Sequence, residues 1–144
     1  MIRPGTKEDL PAVSMLWKDM VAEARKEWAP DEKKWASMGA SLFDAGIYFL
    51  VVYEIEDEIV GFVDGISFDE PSTGKKHGVA QHFYVDPAYR GTEVSAKLYE
   101  EILYLAVKED VEMLELFCFP EMQKFWEKRG FKKERILMRR PIDV

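Results

Sequence analysis

The chain has one cysteine, two histidines and no long apolar run, and each shortage excludes a class of protein. Because Cys118 is alone, the sequence excludes a disulfide framework and a multi-cysteine metal site, and it predicts no metal cofactor. The longest apolar run, Ile47 to Tyr53, is far short of the roughly 20 residues that span a membrane. The first residues, Met1 to Pro4, carry no apolar secretory segment. We therefore expect a cytoplasmic protein without a membrane partner.

The chain also lacks an excess of positive charge. It has 20 basic and 27 acidic side chains and a formal charge of −7, which disfavours nucleic acid as a partner. With 144 residues, 47% of them hydrophobic, it is long enough to bury a core without disulfides or a structural metal. No repeat, low-complexity tract or linker divides it, so residues 1–144 are predicted to form a single domain.

The first half of the chain predicts two helices and a hairpin. Thr6 can cap a helix that runs to near Trp28, and Asp31 can cap a second helix. The β-branched and aromatic segments Tyr48 to Glu54 and Glu58 to Phe68 flank a short acidic turn, which is typical of a β-hairpin.

The second half alternates strands and helices. We expect strands at His77 to Val85, Met113 to Phe119 and Phe131 to Arg139. Helices are expected from Glu93 to Lys108 and from Pro120 to Gly130. A strand, helix and strand in succession imply a parallel pair joined by a right-handed crossover. The predicted fold class is mixed α/β.

One segment, Phe83 to Leu98, carries recognisable chemistry. It reads as a strand, a tight turn at Gly91 and the start of an amphipathic helix. Free amide groups at such a helix start bind phosphate, and Arg90 would add charge-assisted hydrogen bonds. The alternative is an ordinary turn between a strand and a helix.

The same segment resembles motif A of the GNAT superfamily of N-acetyltransferases, through Val85-Asp86-Pro87-Ala88-Tyr89-Arg90-Gly91. Three further pieces resemble other parts of that family in the right order: Ile2-Arg3-Pro4, Ile59-Val60-Gly61-Phe62 and Phe125-Trp126-Glu127-Lys128-Arg129-Gly130-Phe131. The resemblance implies a mostly antiparallel sheet whose fourth and fifth strands are parallel and splayed. It also leaves open a phage- or prophage-type member.

The resemblance further implies transfer of an acetyl group from acetyl-CoA to a primary amine of a small molecule or peptide. The main chain of the fourth strand would bind the pantetheine arm, and the turn with the following helix start would bind the pyrophosphate. The residues concerned are Phe83, Tyr84, Val85, Arg90, Gly91, Thr92, Glu93, Val94, Ser95 and Ala96.

Two positions depart from the family pattern. Glu93 stands where motif A has a glycine, so its carboxylate either opposes a phosphate or points away and favours the helix start. Trp126 stands where motif B usually has the tyrosine that protonates the thiolate. It is expected beside the cofactor, but an indole does not deliver a proton usefully.

The catalytic residues are less clear than the binding residues. The family often places a glutamate or histidine where this chain has Gln81 or Val79. His82 is one residue away, so regular alternation turns it from the cleft, whereas a β-bulge would bring it back. His82 is therefore either a base or a packed histidine, and Tyr84 is a further candidate for the catalytic group.

The acceptor side is expected at the first two helices. Glu23, Glu27, Asp31 and Glu32 surround Trp28 and Trp35, either as a site for a cationic amine or as a solvated face over core tryptophans.

The alternative function is a GNAT-fold module that binds CoA or a protein with little or no turnover, for example a phage accessory protein. A structural domain without a ligand follows if Glu93 blocks the phosphate site. The exposed edge of the last predicted strand permits a homodimer.

Overall fold

The computed structural model describes residues 1–25 and 27–142, which fold around a five-stranded sheet. The strands are β1 (Ile2–Pro4), β2 (Tyr48–Ile55), β3 (Glu58–Asp69), β4 (Lys76–Val85) and β5 (Met113–Leu116), and they lie in that order across the sheet. Neighbouring strands are antiparallel except β4 and β5, which are parallel. The predicted mixed α/β class, with its hairpin and its parallel pair, is confirmed.

Helices cover both faces of the sheet. The helices are α1 (Leu10–Ala24), α2 (Glu32–Asp44), α3 (Val94–Lys108) and the short α4 (Gln123–Glu127). Because side chains alternate along a strand, the central strands β2, β3 and β4 contribute to two cores. One core joins the sheet to α1 and contains Leu10, Val13, Leu50, Val52, Phe62 and Tyr84. The other joins it to α3 and contains Val51, Val63, Val85, Val94, Leu98 and Ile102.

Two helix starts and the β-hairpin turn lie where the sequence predicts them. The Lys34 amide donates to Asp31 Oδ1 at 3.0 Å, so the expected Asp31 cap is formed. At the first helix start, Asp9 Oδ2 accepts from the Thr6 amide at 2.8 Å and from the Thr6 hydroxyl at 3.3 Å, so the side chain of Asp9 links the two predicted positions. Glu56 and Asp57 take φ values of 49° and 65°, the left-handed conformation of a tight hairpin turn.

Two predicted boundaries are wrong. Helix α1 ends at Ala24 instead of near Trp28, since Arg25 leaves the helical conformation with φ −145°; Lys26, inside the predicted helix, lies outside the described residues. Strand β5 ends at Leu116 instead of Phe119, because its ladder with β4 stops at the pair Ala80 and Leu116. A single 3₁₀ turn over Pro120–Met122 then precedes α4.

The predicted last strand, Phe131 to Arg139, is absent: within the described part of the chain, residues 131–142 form neither helix nor strand. Composition favours a strand there, but a strand needs a neighbouring ladder, and Ile136 and Met138 are 78% and 88% exposed. The free edge on this side of the sheet is therefore that of β5, and a homodimer stays a prediction.

Over residues 1–25 and 27–142, no helix has the length and apolar character of a membrane span. The same residues contain no group of three or more side chains placed to hold a metal ion.

Candidate active site

A β-bulge interrupts β4 at Gln81. Asp64 of β3 pairs with His82, while the next residue, Gly65, pairs with Ala80, so Gln81 is the extra residue. The bulge changes the alternation of β4, and His82 lies on the face of the sheet that α1 and α2 cover. Both the bulge and His82 in the cleft are observed, but the bulge is not the cause: alternation from Val85, on the α3 face, to His82 is regular, and the bulge lies beyond His82, where it turns Ala80 to the α3 face.

The bulge also marks the point where β4 and β5 separate. The Asp86 amide donates to the Val60 carbonyl at 2.8 Å, so the main-chain groups of Asp86 face β3. Because hydrogen-bonded residues alternate along an antiparallel pair, the main-chain groups of Tyr84 and His82 face β3 as well. The amides of Phe83 and Val85 therefore face the gap between β4 and β5. This gap is a place where an extended ligand can pair with the main chain of β4.

His82 belongs to a chain of three polar side chains from three adjacent strands. Its Nδ1 lies 2.7 Å from Asp64 Oδ1, and the Tyr48 hydroxyl donates to Asp64 Oδ2. With Nδ1 donating to this carboxylate, a neutral imidazole has its lone pair on Nε2. The arrangement presents an imidazole that can take a proton, backed by a carboxylate that stabilises the resulting charge.

The three polar side chains differ in burial. The Asp64 side chain is 1% exposed, whereas that of His82 is 24% exposed. Burial, together with the adjacent Asp64 charge, raises the pKa of Tyr48 far above its usual value, so its hydroxyl stays a hydrogen-bond donor. The edges of Phe62 and Trp35 border the imidazole, with ring centroids 6.5 and 6.1 Å from it.

His82 lines a groove of about 640 Å³ that we call the acceptor groove. Its walls come from α1, α2 and the segment after β5, and Asp64 and Tyr48 also line it. The volume falls within the range of small-molecule sites. The lining residues used below are Trp28, Asp31, Lys34, Trp35, Phe117 and Phe119.

The turn before α3 leaves main-chain donors open. Gly91 has φ +75°, and a Cβ there would meet nothing within 4 Å, so the turn is uncovered. Lys97 is the first amide to donate into the helix, to the Glu93 carbonyl at 2.9 Å. The amides before it have no intrahelical acceptor, which suits an anion.

Glu93 does not point freely into solvent. Its Oε1 accepts a hydrogen bond from the Tyr53 hydroxyl at 3.1 Å. The carboxylate at the departing motif A position is thus held by a buried residue of β2. The sequence leaves open which way the Glu93 side chain points, and the structure shows that it hydrogen-bonds to Tyr53.

Comparison with known proteins agrees with this architecture. Residues 11–131 match the family model for the acetyltransferase (GNAT) family. The chain belongs to this family. No curated protein matches the sequence.

Solved structures resemble this GNAT chain over almost its whole length. A possible acetyltransferase from Clostridium difficile 630 has a TM-score of 0.83 at 18% identity, covering 100% of this chain and 97% of that one. Ribosomal-protein-alanine N-acetyltransferase from Brucella melitensis biovar Abortus 2308 has a TM-score of 0.77 at 19% identity, covering 99% of each chain. An aminoglycoside acetyltransferase from an uncultured soil metagenomic sample, in complex with sisomicin, has a TM-score of 0.78 at 13% identity, covering 99% of this chain and 96% of that one. At these identities the likeness shows the fold alone.

Arg90 of the GNAT motif turns toward α1. Its Nη2 lies 3.0 and 2.9 Å from the two carboxylate oxygens of Glu23, and its Nε donates to the Val85 carbonyl at 2.9 Å. The Tyr84 hydroxyl donates to the same carboxylate at 2.6 Å. Because Glu23 already engages this guanidinium, its expected contact with a phosphate stays a prediction.

The pKa values in this cluster follow from its contacts. Burial raises the pKa of Glu23, but the hydrogen bonds from Tyr84 and Arg90 outweigh that effect and leave it below its usual value. Burial and the Glu23 hydrogen bond raise the pKa of Tyr84. Tyr84 is 6% exposed, so its hydroxyl braces β4 against α1, and a catalytic role for it stays a prediction.

Trp126 lies in an aromatic cluster on the α3 side of the sheet. Its ring centroid is 5.5 Å from that of Phe83, 4.9 Å from that of Phe125 and 5.5 Å from that of Phe131. It therefore borders the strand segment expected to hold the pantetheine arm. Its part in cofactor binding stays a prediction.

The acidic side chains expected at the acceptor side are mostly engaged. Glu23 binds Arg90, Asp31 caps α2, and Glu32 lies 3.7 Å from Lys18. Trp28 is 49% exposed, so it is not a core residue, whereas Trp35 is partly buried and stacks on Trp17. Sequence reasoning missed Asp64 and Tyr48, and a buried aspartate in an apolar strand was the available signal for the first.

Proposed function

We propose that this GNAT chain is an acetyl-CoA-dependent N-acetyltransferase that acts on a primary amine of a small molecule or peptide. The observation that supports it best is His82, backed by buried Asp64 and placed beside the main-chain gap between β4 and β5. A base beside a strand that can pair with an extended thioester is what aminolysis requires.

The residues present fit acetyl-CoA. The open turn at Gly91 and the amides of Ser95 and Ala96 would hold the pyrophosphate, with Glu93 tied to Tyr53. The amides of Phe83 and Val85 would donate to the pantetheine arm, whereas the Val85 carbonyl is held by Arg90. When bound, acetyl-CoA supplies the activated acetyl thioester.

The protein groups then have distinct tasks. His82 Nε2 takes the proton that the amine loses as its nitrogen bonds to the thioester carbonyl carbon, and Asp64 stabilises the imidazolium. An amide of β4 facing the gap stabilises the oxyanion. The carbon–sulfur bond breaks, and solvent protonates the thiolate, since Trp126 has no group that ionises usefully.

Two measurements test this function. Calorimetric titration with acetyl-CoA is expected to give micromolar binding, and release of free thiol in the presence of primary amines is expected to follow. His82→Ala should lower kcat by about 10²–10⁴-fold without changing acetyl-CoA affinity. The matched control is His77→Ala, because His77 lies on the same strand beside Glu115, away from the acceptor groove.

The second candidate is a module that binds CoA without turnover. It is favoured by the engagement of Arg90 with Glu23 and by the non-ionising Trp126. Acetyl-CoA binding with thiol release no faster than solvent hydrolysis would support it, and absence of binding at millimolar acetyl-CoA would exclude both candidates.

A further inference from the structure

We infer that the acceptor is a monoamine with an apolar, preferably aromatic body; this inference rests on the proposed function. The acceptor groove that leads to His82 is walled by aromatic side chains from α2, from the connection between α1 and α2, and from the segment after β5. Trp28, Trp35, Phe117 and Phe119 line it, and Arg25 packs over the Phe119 ring at 3.7 Å.

Exposure shows that part of this surface is uncovered. Trp28 is 49% exposed and Phe117 is 70% exposed, although both line a concave groove. A ligand with an aromatic body would bury these rings, and each apolar ring removed from water adds to affinity. The groove is continuous with the His82 imidazole, so a short arm places the amine at the base.

The groove has few carboxylates with which to bind a polycation. Among its described lining residues, Asp31 and Asp64 are the carboxylates, and both are engaged, the first as a helix cap and the second by His82. Lys34 adds a positive charge to the same wall. A polyamine or an aminoglycoside needs several free carboxylates, whereas one ammonium group can be bound by aromatic faces before it loses its proton.

The experiment compares an aromatic monoamine with a small amine that shares its aminoethyl arm and with two polycations. Thiol release is measured with 2-phenylethylamine, ethylamine, spermine and kanamycin under the same acetyl-CoA concentration. We expect kcat/KM for 2-phenylethylamine to exceed that for ethylamine by about 10–100-fold, and those for spermine and kanamycin by at least about 10-fold. Quenching of tryptophan fluorescence by 2-phenylethylamine measures binding independently of turnover.

Variants at the rim locate the effect. Trp28→Ala should reduce the preference for 2-phenylethylamine over ethylamine by about 3–10-fold. Tyr104→Ala, which removes a 60% exposed aromatic side chain from α3, should leave that preference unchanged. An unchanged preference in Trp28→Ala, with the wild-type fold, would overturn the assignment of the groove.

The outcomes separate this inference from the proposed function. Saturable quenching by 2-phenylethylamine without thiol release would reject the enzyme and support the groove assignment. Faster reaction with spermine or kanamycin than with 2-phenylethylamine would support the enzyme and overturn the inference. The absence of both quenching by and reaction with 2-phenylethylamine would also overturn the inference.

Discussion

The two sides of β4 carry different kinds of site. On the side of α3, the open turn at Gly91 and the amides of Phe83 and Val85 offer main-chain donors. On the side of α1 and α2, three side chains from β2, β3 and β4 meet at His82. Main-chain sites depend on local conformation, whereas side-chain sites depend on strand register.

This difference explains how the motif tolerates substitution. Glu93 replaces a motif glycine, yet it is tied to Tyr53 and the turn stays open. On the other side, a shift of one residue in β4 would turn His82 away from Asp64, because side chains alternate between faces. Variants of the side-chain site should therefore lower kcat, whereas variants of the main-chain site should weaken acetyl-CoA binding.

After His82→Ala, the largest effect is expected from Asp64→Asn on the side-chain site. An amide at this position offers Nδ1 no charge to stabilise the imidazolium, so kcat should fall by about 10²–10³-fold with the KM for acetyl-CoA unchanged. Tyr48→Phe is the control, because it keeps the carboxylate and removes one of its donors. It should cost about 1–3 kcal/mol of stability and lower kcat less than about 10-fold. Steady-state kinetics measures kcat and thermal melting measures stability for both variants. A wild-type kcat in Asp64→Asn would show that Asp64 does not stabilise the imidazolium.

A smaller effect is expected from Gly91→Ala on the main-chain site. With φ +75° and open space around it, the substitution costs about 1–2 kcal/mol in backbone strain without a clash. Relaxation of the turn should weaken acetyl-CoA binding about 3–10-fold, since each misplaced amide loses part of an anion hydrogen bond. Gly74→Ala is the matched control, with φ +70°, open space and a place in the loop before β4. Equal acetyl-CoA affinities in the two variants by calorimetry would reject the turn as the phosphate site.

The smallest effect is expected from Arg90→Ala, which links the two sides. Loss of the half-exposed pair with Glu23 should cost at most about 1 kcal/mol at neutral pH. The folded-state pKa of Glu23 lies below its ordinary value of 4.5, so this contribution is present above that pH and is lost as pH falls through the folded pKa. The difference in thermal stability between wild type and Arg90→Ala should therefore shrink as pH falls below 4.5. Lys97→Ala, which removes an exposed pair within α3, is the control, and a pH-independent difference for Arg90→Ala would contradict the assignment.

Much of the fold could be predicted because its signals are local. The Asp31 cap and the hairpin turn at Glu56 and Asp57 depend on neighbouring residues only. The predicted strand from Phe131 to Arg139 failed because strand formation needs a partner ladder, which composition does not report. Strand β5 was predicted too long for a related reason, since β4 diverges from it at the bulge.

By itself, the sequence determined the α/β order, the helix caps, the family motif and the open turn before α3, because each follows from the conformational preferences of adjacent residues. Only the tertiary structure decided which face His82 occupies, that Asp64 and Tyr48 stand behind it, and that Glu23 engages Arg90. Those contacts join residues at least 16 positions apart in the chain, so they depend on strand register and helix packing.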